Sequence, residues 1–233
     1  MIPWWFSSIR RFSSLPIHII DIDLPDQRRA WCDKYGIGRT LFSLNKSPAQ
    51  KQEIDEALAK LWESNYLGNV WQNREVWFAK PEVLQKTPFQ KTLFLDLDCE
   101  VKGPIDSLLE LPASFAICKN PDFVQEEAIL NQLIRPGESI YNSGVILYER
   151  GHPLIDQWAN LSYETANQHM GDEDILSLIL NKTSTPFDLI PEAFNCRPTS
   201  QNVGKAHVVH HVGIEGKRNI MAQILYDRLG IQS

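Results

Sequence analysis

The chain has 233 residues, 43% hydrophobic and 22% charged, the proportions of an ordinary globular protein with length ample for one large domain or two small ones. Its net charge of −6 argues against nucleic acid as the main partner, because phosphate binding needs a concentrated basic surface. No apolar run approaches the ~18 residues of a membrane span. Cys32, Cys99, Cys118 and Cys196 are scattered, with no CxxC pair or zinc-like spacing, so the simple reading is a reduced, cytoplasmic chain.

In chain order, "WWFSSIRRF" reads as a short helix, with too short an apolar patch and arginines on the wrong side for a signal peptide. Trp4, Trp5 and Phe6 ahead of Arg10 and Arg11 also suit an interfacial helix, which leaves peripheral membrane contact open beside ordinary packing. "PIHIIDIDL" (16–24) reads as a strand, and "PDQRRAWCDKYG" as a helix with Pro25 at N1 and Gly36 as its stop. Ser47 and Pro48 are placed to start a helix whose apolar positions are Ile54, Leu58 and Leu61. "REVWFAKPEVLQKTP" is helical in pattern but interrupted by Pro81.

"TLFLDLDCEV" (92–101) follows. Leu93, Phe94 and Leu95 form a continuous apolar run, as expected of a strand covered on both faces in a parallel sheet. In a strand, Asp96, Asp98 and Glu100 would point to one side. Buried carboxylates are costly unless paired or bound to a cation, so something positive is expected there.

"SFAICKN" (114–120) and "YNSGVILYERG" (141–151) read as strands, and "HPLIDQWANLSYETANQH" and "DEDILSLILNK" as helices. "FDLIPEAFNC" suggests a short strand and loop, and "AHVVHHVGIEGK" (206–217) a strand running into a Gly-bounded turn. The tail "RNIMAQILYDRLG" is a helix closed by Gly230. Strands alternating with helices point to an α/β fold with a mostly parallel central sheet flanked by helices. Ligands bind such sheets at the carboxyl ends of strands, where Asp96 and Asp98 fall.

An Asp-x-Asp at a strand end serves two chemistries: holding a hard divalent cation against a diphosphate, or phosphoryl transfer through an aspartyl nucleophile. The second, with Asp96 as nucleophile of a haloacid-dehalogenase-like phosphatase, fits poorly. That motif sits near the N-terminus and has Thr or Val where this chain has Glu100, and the acidic spacing of "GDEDIL" (171–176) differs from the family's last metal motif.

For the first, four segments occur in a telling order: "VWFAKPEVLQKTPFQKTLFLDLDCEV", "YNSGVILY", "GDEDILSLIL" and "AHVVHHVGIEGK". Together they resemble the GT-A-fold nucleotide-sugar glycosyltransferases, especially the family 8-like lipopolysaccharide and glycogenin group, over roughly residues 4–220. The resemblance implies a single GT-A-like domain over residues 1–233 that moves a sugar from a nucleotide-diphosphate donor, UDP-sugar favoured, to a hydroxyl of a glycan, lipid-linked or protein acceptor. Asp96, Asp98 and His210 would hold Mn2+ or Mg2+, with His211 the competitor for the third position. An O/O/N set shifts preference towards Mn2+. Lys217 would approach the diphosphate beside Gly213, although "GIEGKRN" departs from the family's Gly-x-x-Lys-Pro-Trp. Lys80 falls where the family has a donor-contacting Arg, Asn142 and Ser143 would line the sugar pocket, and Asp172 would orient sugar hydroxyls.

Glu173 stands where retaining members commonly carry Gln, close to the reactive face. It suits a nucleophile or a stabiliser of an oxocarbenium-like centre, and equally a helix N-terminal acid. GT-A domains normally open with an apolar strand whose end holds the base, followed by a helix that "IPWWFSSIRRF" resembles. The chain starts at that helix, so the first strand is expected to be lacking, its place empty, filled by a partner chain or taken by another segment. A degenerate module that binds a sugar nucleotide without turnover is the non-enzymatic alternative. His18, His207, Trp71, Trp77, Trp158 and the second Asp-x-Asp, Asp21 and Asp23, read as structural.

Overall fold

The computed structural model describes residues 1–65, 70–130 and 134–230. Its helices are α1 (Ile2–Arg10), α2 (Asp26–Lys34), α3 (Glu56–Asn65), α4 (Val70–Leu84), α5 (Asp122–Leu130), α6 (Pro153–Glu164), α7 (Asp172–Lys182) and α8 (Gly213–Leu229). Its strands are β1 (His18–Asp21), β2 (Gly38–Leu41), β3 (Lys91–Leu95), β4 (Cys99–Val101), β5 (Phe115–Lys119), β6 (Tyr141–Glu149), β7 (Asp188–Leu189) and β8 (Val208–His210). No helix among the described residues is long and apolar enough to cross a membrane.

The central sheet has the order β3-β6-β5-β7. It is mixed rather than mostly parallel: β3 and β5 run antiparallel to β6, and only β5 and β7 run parallel. β1 and β2 form a separate parallel pair, and β4 and β8 an antiparallel one.

The core follows strand alternation. Ile146 and Tyr148 of β6 pack with Phe78, Leu84, Trp158 and Ile175 of α4, α6 and α7. Val145 and Leu147 face the other way, onto Trp5, Ile9, Val101 and Val208. β6 is therefore covered on both faces, and burying such a residue is worth about 1.5–3 kcal/mol. β3 is not: Leu93 and Phe94 are only half-buried at the sheet edge. Between β1 and β3 lies an apolar cavity of about 420 Å3, walled by both strands and by Trp5, Ile9, Val83 and Leu84.

Several local expectations are corrected. The second-to-third helix boundary moves because Asp55, not Ser47, caps α3, its Oδ1 accepting from Ala57 N and Leu58 N at 3.0 and 3.1 Å. Ile54 is buried ahead of the helix, Ala59 and Trp62 form its inner face, and Leu61 is exposed. Pro81 does not interrupt α4, which continues through it to Leu84 with the ring buried. "GIEGK" is the first turn of α8 rather than a turn after a strand, and Gly213 takes φ 74° to begin it.

Candidate active site

β3 ends at Leu95, one residue before the first carboxylate, and the chain turns. Asp96 N donates to Gly144 O at 2.9 Å, Cys99 N to Asp96 O at 3.0 Å, and His211 N to Asp98 O at 2.9 Å. The turn separates the acids that a continuous strand would have aligned. Glu100, in β4, faces away and binds Lys102 at 2.6 Å and His211 at 3.1 Å. Asp96 and Asp98 turn towards His210, which β8 places opposite Cys99.

His210 is buried and held by amides. Its Nδ1 lies 2.9 Å from Asn142 Oδ1 and 3.0 Å from Asn195 Oδ1. Asn142 Oδ1 also accepts from Asn195 Nδ2 and Gly144 N, at 2.7 and 3.0 Å. Two acceptor oxygens assign the ring proton to Nδ1. Nε2 then faces Asp98 Oδ1 at 3.3 Å and Asp96 Oδ2 at 3.9 Å. The imidazole nitrogen thus faces two carboxylates, an arrangement that suits a divalent cation held between the ring and the acids. His211, its rival, sits edge-on to Trp4 beside Glu100. Ligand atoms of Asp98, Cys99 and His210 lie within 4.8 Å of one another. Burial pushes the Cys99 thiol well up and its Sγ donates to Gly144 O at 3.4 Å, which leaves the oxygens and the imidazole as the ligands of choice.

Opposite stands Lys80 on α4. Its Nζ lies 3.0 Å from Asp96 Oδ2, 2.9 Å from Ser143 Oγ and 3.3 Å from Asp172 Oδ2. Burial pulls the ammonium pKa down, but the charges of Asp172, Asp96 and Glu173 outweigh it, and the net shift is upward. Lys80 therefore stays charged. Asp172 and Glu173 come from the first turn of α7, where the helix dipole favours acids. Ser143 joins them: its Oγ lies 3.0 Å from Asp172 Oδ2, and its N–H donates to Glu173 Oε1 at 2.8 Å. Burial, then the neighbouring Asp172 charge, pushes Glu173 up to about 7. Four carboxylates thus share one lysine, which leaves the cluster short of positive charge.

The structure brings together Lys80, Asp96, Asp98, Asn142, Ser143, Asp172, Glu173 and His210 from the sequence-predicted set. Gly213 and Lys217 lie on α8; Lys217 is exposed, and its charge acts on Asp98. Most of the residues read as structural sit elsewhere, but Trp158 supports the site, its indole N–H donating to Asp172 O at 3.0 Å. Asp21 binds Arg29 at 2.7 Å, His18 Nε2 meets Thr40 Oγ1 at 2.8 Å, and His207 stacks on Phe194. Trp158 is fully buried, and Trp71 and Trp77 pack around Trp62.

Three contributors escaped the sequence reading. Gly144 was visible as a glycine inside a strand, the signal of a bulge or close approach. The register between β5 and β6 does shift there, from Ile117↔Ile146 to Cys118↔Asn142. Asn195 had no signal, lying in a loop far from the motifs. Nor did Arg74, which is 2% exposed and donates to the carbonyls of Ala166, His169 and Met170 at 2.6–2.8 Å, fixing the loop that leads into Asp172.

No protein-family profile and no curated protein sequence matches the chain. Solved structures do. The galactosyltransferase LgtC, determined with donor and acceptor sugar analogues, superposes with TM-score 0.58 at 16% identity, covering 88% of this chain and 80% of its own. Mouse xyloside xylosyltransferase 1 gives TM-score 0.53 at 16% identity, with 89% of each chain covered. GlyE, a glycosyltransferase of Streptococcus pneumoniae, gives 0.54 at 18% identity over 90% of this chain and 50% of its own. At these identities the likeness establishes the fold: a mixed α/β sheet flanked by helices, as in GT-A-like glycosyltransferases.

Proposed function

We propose that residues 1–233 form one domain that transfers a sugar from a nucleotide-diphosphate donor, UDP-sugar favoured, to an acceptor hydroxyl, with Mn2+ or Mg2+ held by Asp96, Asp98 and His210. The observation that carries this reading is that His210 Nε2 lies 3.3 Å from Asp98 Oδ1 and 3.9 Å from Asp96 Oδ2, with Lys80 bound to that same Asp96 oxygen. The likeness to a transferase solved with donor and acceptor sugar analogues supports the substrate class. It leaves the aspartyl-phosphatase alternative without support.

Breaking the bond between the sugar's anomeric carbon and the diphosphate sends the electron pair to the departing phosphate oxygen. The bound cation would neutralise that charge as it develops. Lys80 is placed to donate to the same oxygens by exchanging one of its carboxylate partners for them, and Lys217 is free at the surface to close on the outer phosphate. Asp172, Ser143 and Asn142 orient the sugar hydroxyls. Glu173, in its ionised form, faces the anomeric carbon as nucleophile or as stabiliser of positive charge, giving retention of configuration. The acceptor oxygen forms the new bond, and its proton leaves with the diphosphate.

The test is release of nucleoside diphosphate from a panel of UDP- and GDP-sugars, with and without Mn2+. Metal-dependent release, lost in Asp98→Ala and in Glu173→Ala, is expected. Donor binding with no turnover would instead make the chain a binding module.

A further inference from the structure

The end of the sheet that carries the acids continues past them. β3 and β5 flank β6 and both run antiparallel to it, so Asp96 after β3, Asn142 at the start of β6 and Asn120 after β5 stand in a row. Cys118 pairs with Asn142, which places Asn120 two residues, about 6.6 Å of extended chain, further out. A second segment reaches the same place. Cys196 N donates to Val208 O and Cys196 O accepts from His210 N, so residues 195–197 run beside β8. Asn195 reaches Asn142 and His210, and Arg197 follows it by two residues. The two segments meet where Arg197 Nη2 donates to Asn120 Oδ1 at 3.0 Å. The guanidinium carbon lies 5.7 Å from the centre of the Phe123 ring.

This guanidinium lacks a counter-charge. No carboxylate among the described residues forms an ion pair with it. Glu192, the acid of its own loop, accepts instead from Ser200 Oγ and Asn202 Nδ2 at 2.8 and 3.3 Å, and Asp122, next to Phe123, is exposed. Arg197 is half-buried, its Nε is buried without an acceptor, and its one hydrogen bond among the described residues goes to a neutral amide. Arg74, by contrast, spends its terminal nitrogens on backbone carbonyls. Arg197 keeps Nη1 and the second proton of Nη2 for a ligand. A guanidinium short of acceptors gains most from an anion that takes two N–H bonds at once.

We propose that Arg197 reads an anionic group, a carboxylate or a phosphate, on the acceptor, with the acceptor ring resting against Phe123, which is 50% exposed. The inference rests on the sugar-transfer reading, in which Asn142 lines the sugar pocket. The order of the strands decides which substrate the anion belongs to. Asp96 and Lys80 lie on the β3 side of Asn142, where the donor diphosphate belongs, and Arg197 lies on the β5 side. An anion at Arg197 is therefore not the diphosphate but a group beyond the transferred sugar. A neutral acceptor leaves the guanidinium without its counter-charge, so Arg197 acts on the choice of acceptor and not on the metal or the nucleotide.

Methyl β-glucoside with methyl β-glucuronide, and glucose with glucose 6-phosphate, form two neutral–anionic pairs of probes. Each is titrated calorimetrically into the wild type, Arg197→Gln and Arg197→Lys, with UDP and Mg2+ present throughout. The wild type is expected to bind the anionic member of at least one pair tenfold or more tightly than the neutral one, and the pair that responds tells carboxylate from phosphate. Arg197→Gln should lose the preference while keeping its affinity for UDP, which also reports that it is folded. Arg197→Lys, which keeps the charge without the planar fork, should retain part of it. No preference in either pair overturns the proposal, as does a preference that survives Arg197→Gln. Tenfold weaker binding of UDP-glucuronate but not of UDP-glucose to Arg197→Gln assigns the anion to the donor sugar and overturns it too. Absence of UDP binding brings down the sugar-transfer reading and the acceptor assignment with it, whereas intact UDP binding without an anion preference brings down this inference alone.

Discussion

Gly144 and His210 share one space: a Cβ on Gly144 would lie 2.1 Å from His210 Cε1 and 2.4 Å from its Nδ1. Even one methyl must expel the imidazole from its place beside Asp98. Gly144→Ala is therefore expected to weaken Mn2+ binding at least tenfold, within the range seen when partners of a metal-binding histidine are disturbed. Titration of Mn2+ with the protein's circular dichroism recorded in parallel checks this; unchanged affinity would mean that His210 is not a ligand.

Lys80 neutralises Asp96 and Asp172 in a site where all three are largely shielded from water. Removing one partner of a buried ion pair costs about 3–5 kcal/mol, so Lys80→Met is expected to lower the melting temperature by roughly 6–20 °C. Saturating Mn2+ should raise the melting temperature of the variant more than that of the wild type, because the cation replaces part of the lost charge. Equal metal stabilisation in both would contradict the shared cluster.

Two carboxyls of α7 bind protons more tightly in the folded chain than their ordinary 4.5 and 3.8. Glu173 is pushed up to about 7 and Asp174 to about 6, each mainly by burial. The folded state thus holds more protons than the unfolded one across this interval, and stability contributed by the neutral forms is lost as pH rises through it. In metal-free protein, the melting temperature of wild type relative to Glu173→Gln and Asp174→Asn should fall between about pH 4.5 and 7. A wild-type curve parallel to both variants would show that these groups titrate normally.

Arg74 holds three carbonyls of the loop at 166–170 and stacks on Trp62 and Phe78, its guanidinium carbon 4.8 and 4.6 Å from the ring centroids. Burial pulls its pKa down to about 10, so it remains charged at neutral pH. Arg74→Leu leaves those oxygens without their donor at about 1–3 kcal/mol each. Urea unfolding should show a loss of about 3 kcal/mol or more; a change under about 1 kcal/mol would mean that water replaces the guanidinium without cost.

The elements legible in the sequence are those with an unambiguous local signal. β5, β6, α6 and α7 fall where periodicity and length place them; Asp96 and Asp98 lie beside His210, and Asp172 and Glu173 gather around Ser143. What was lost depended on long-range pairing. The apolar run 93–95 looks the same in a parallel interior strand and in an antiparallel strand at an open edge, so neither sheet direction nor the cavity could be read from it. The turn that follows β3 is anchored by Asp96 N binding Gly144 O, 48 residues away in sequence, before Cys99 N closes it on Asp96 O. Ser47 had the composition of a cap, but Asp55 makes the hydrogen bonds. Asn195 orients His210 from a loop with no pattern of its own.

The central claim is a metal-dependent nucleotide site built on Asp96, Asp98 and His210. Calorimetric titration of UDP, then GDP, with and without Mn2+, on the wild type and on Asp98→Ala and His210→Ala, tests it most directly. The account predicts UDP binding that requires Mn2+ and is lost in both variants. Binding that is equally strong without metal, or that survives both substitutions, would contradict it.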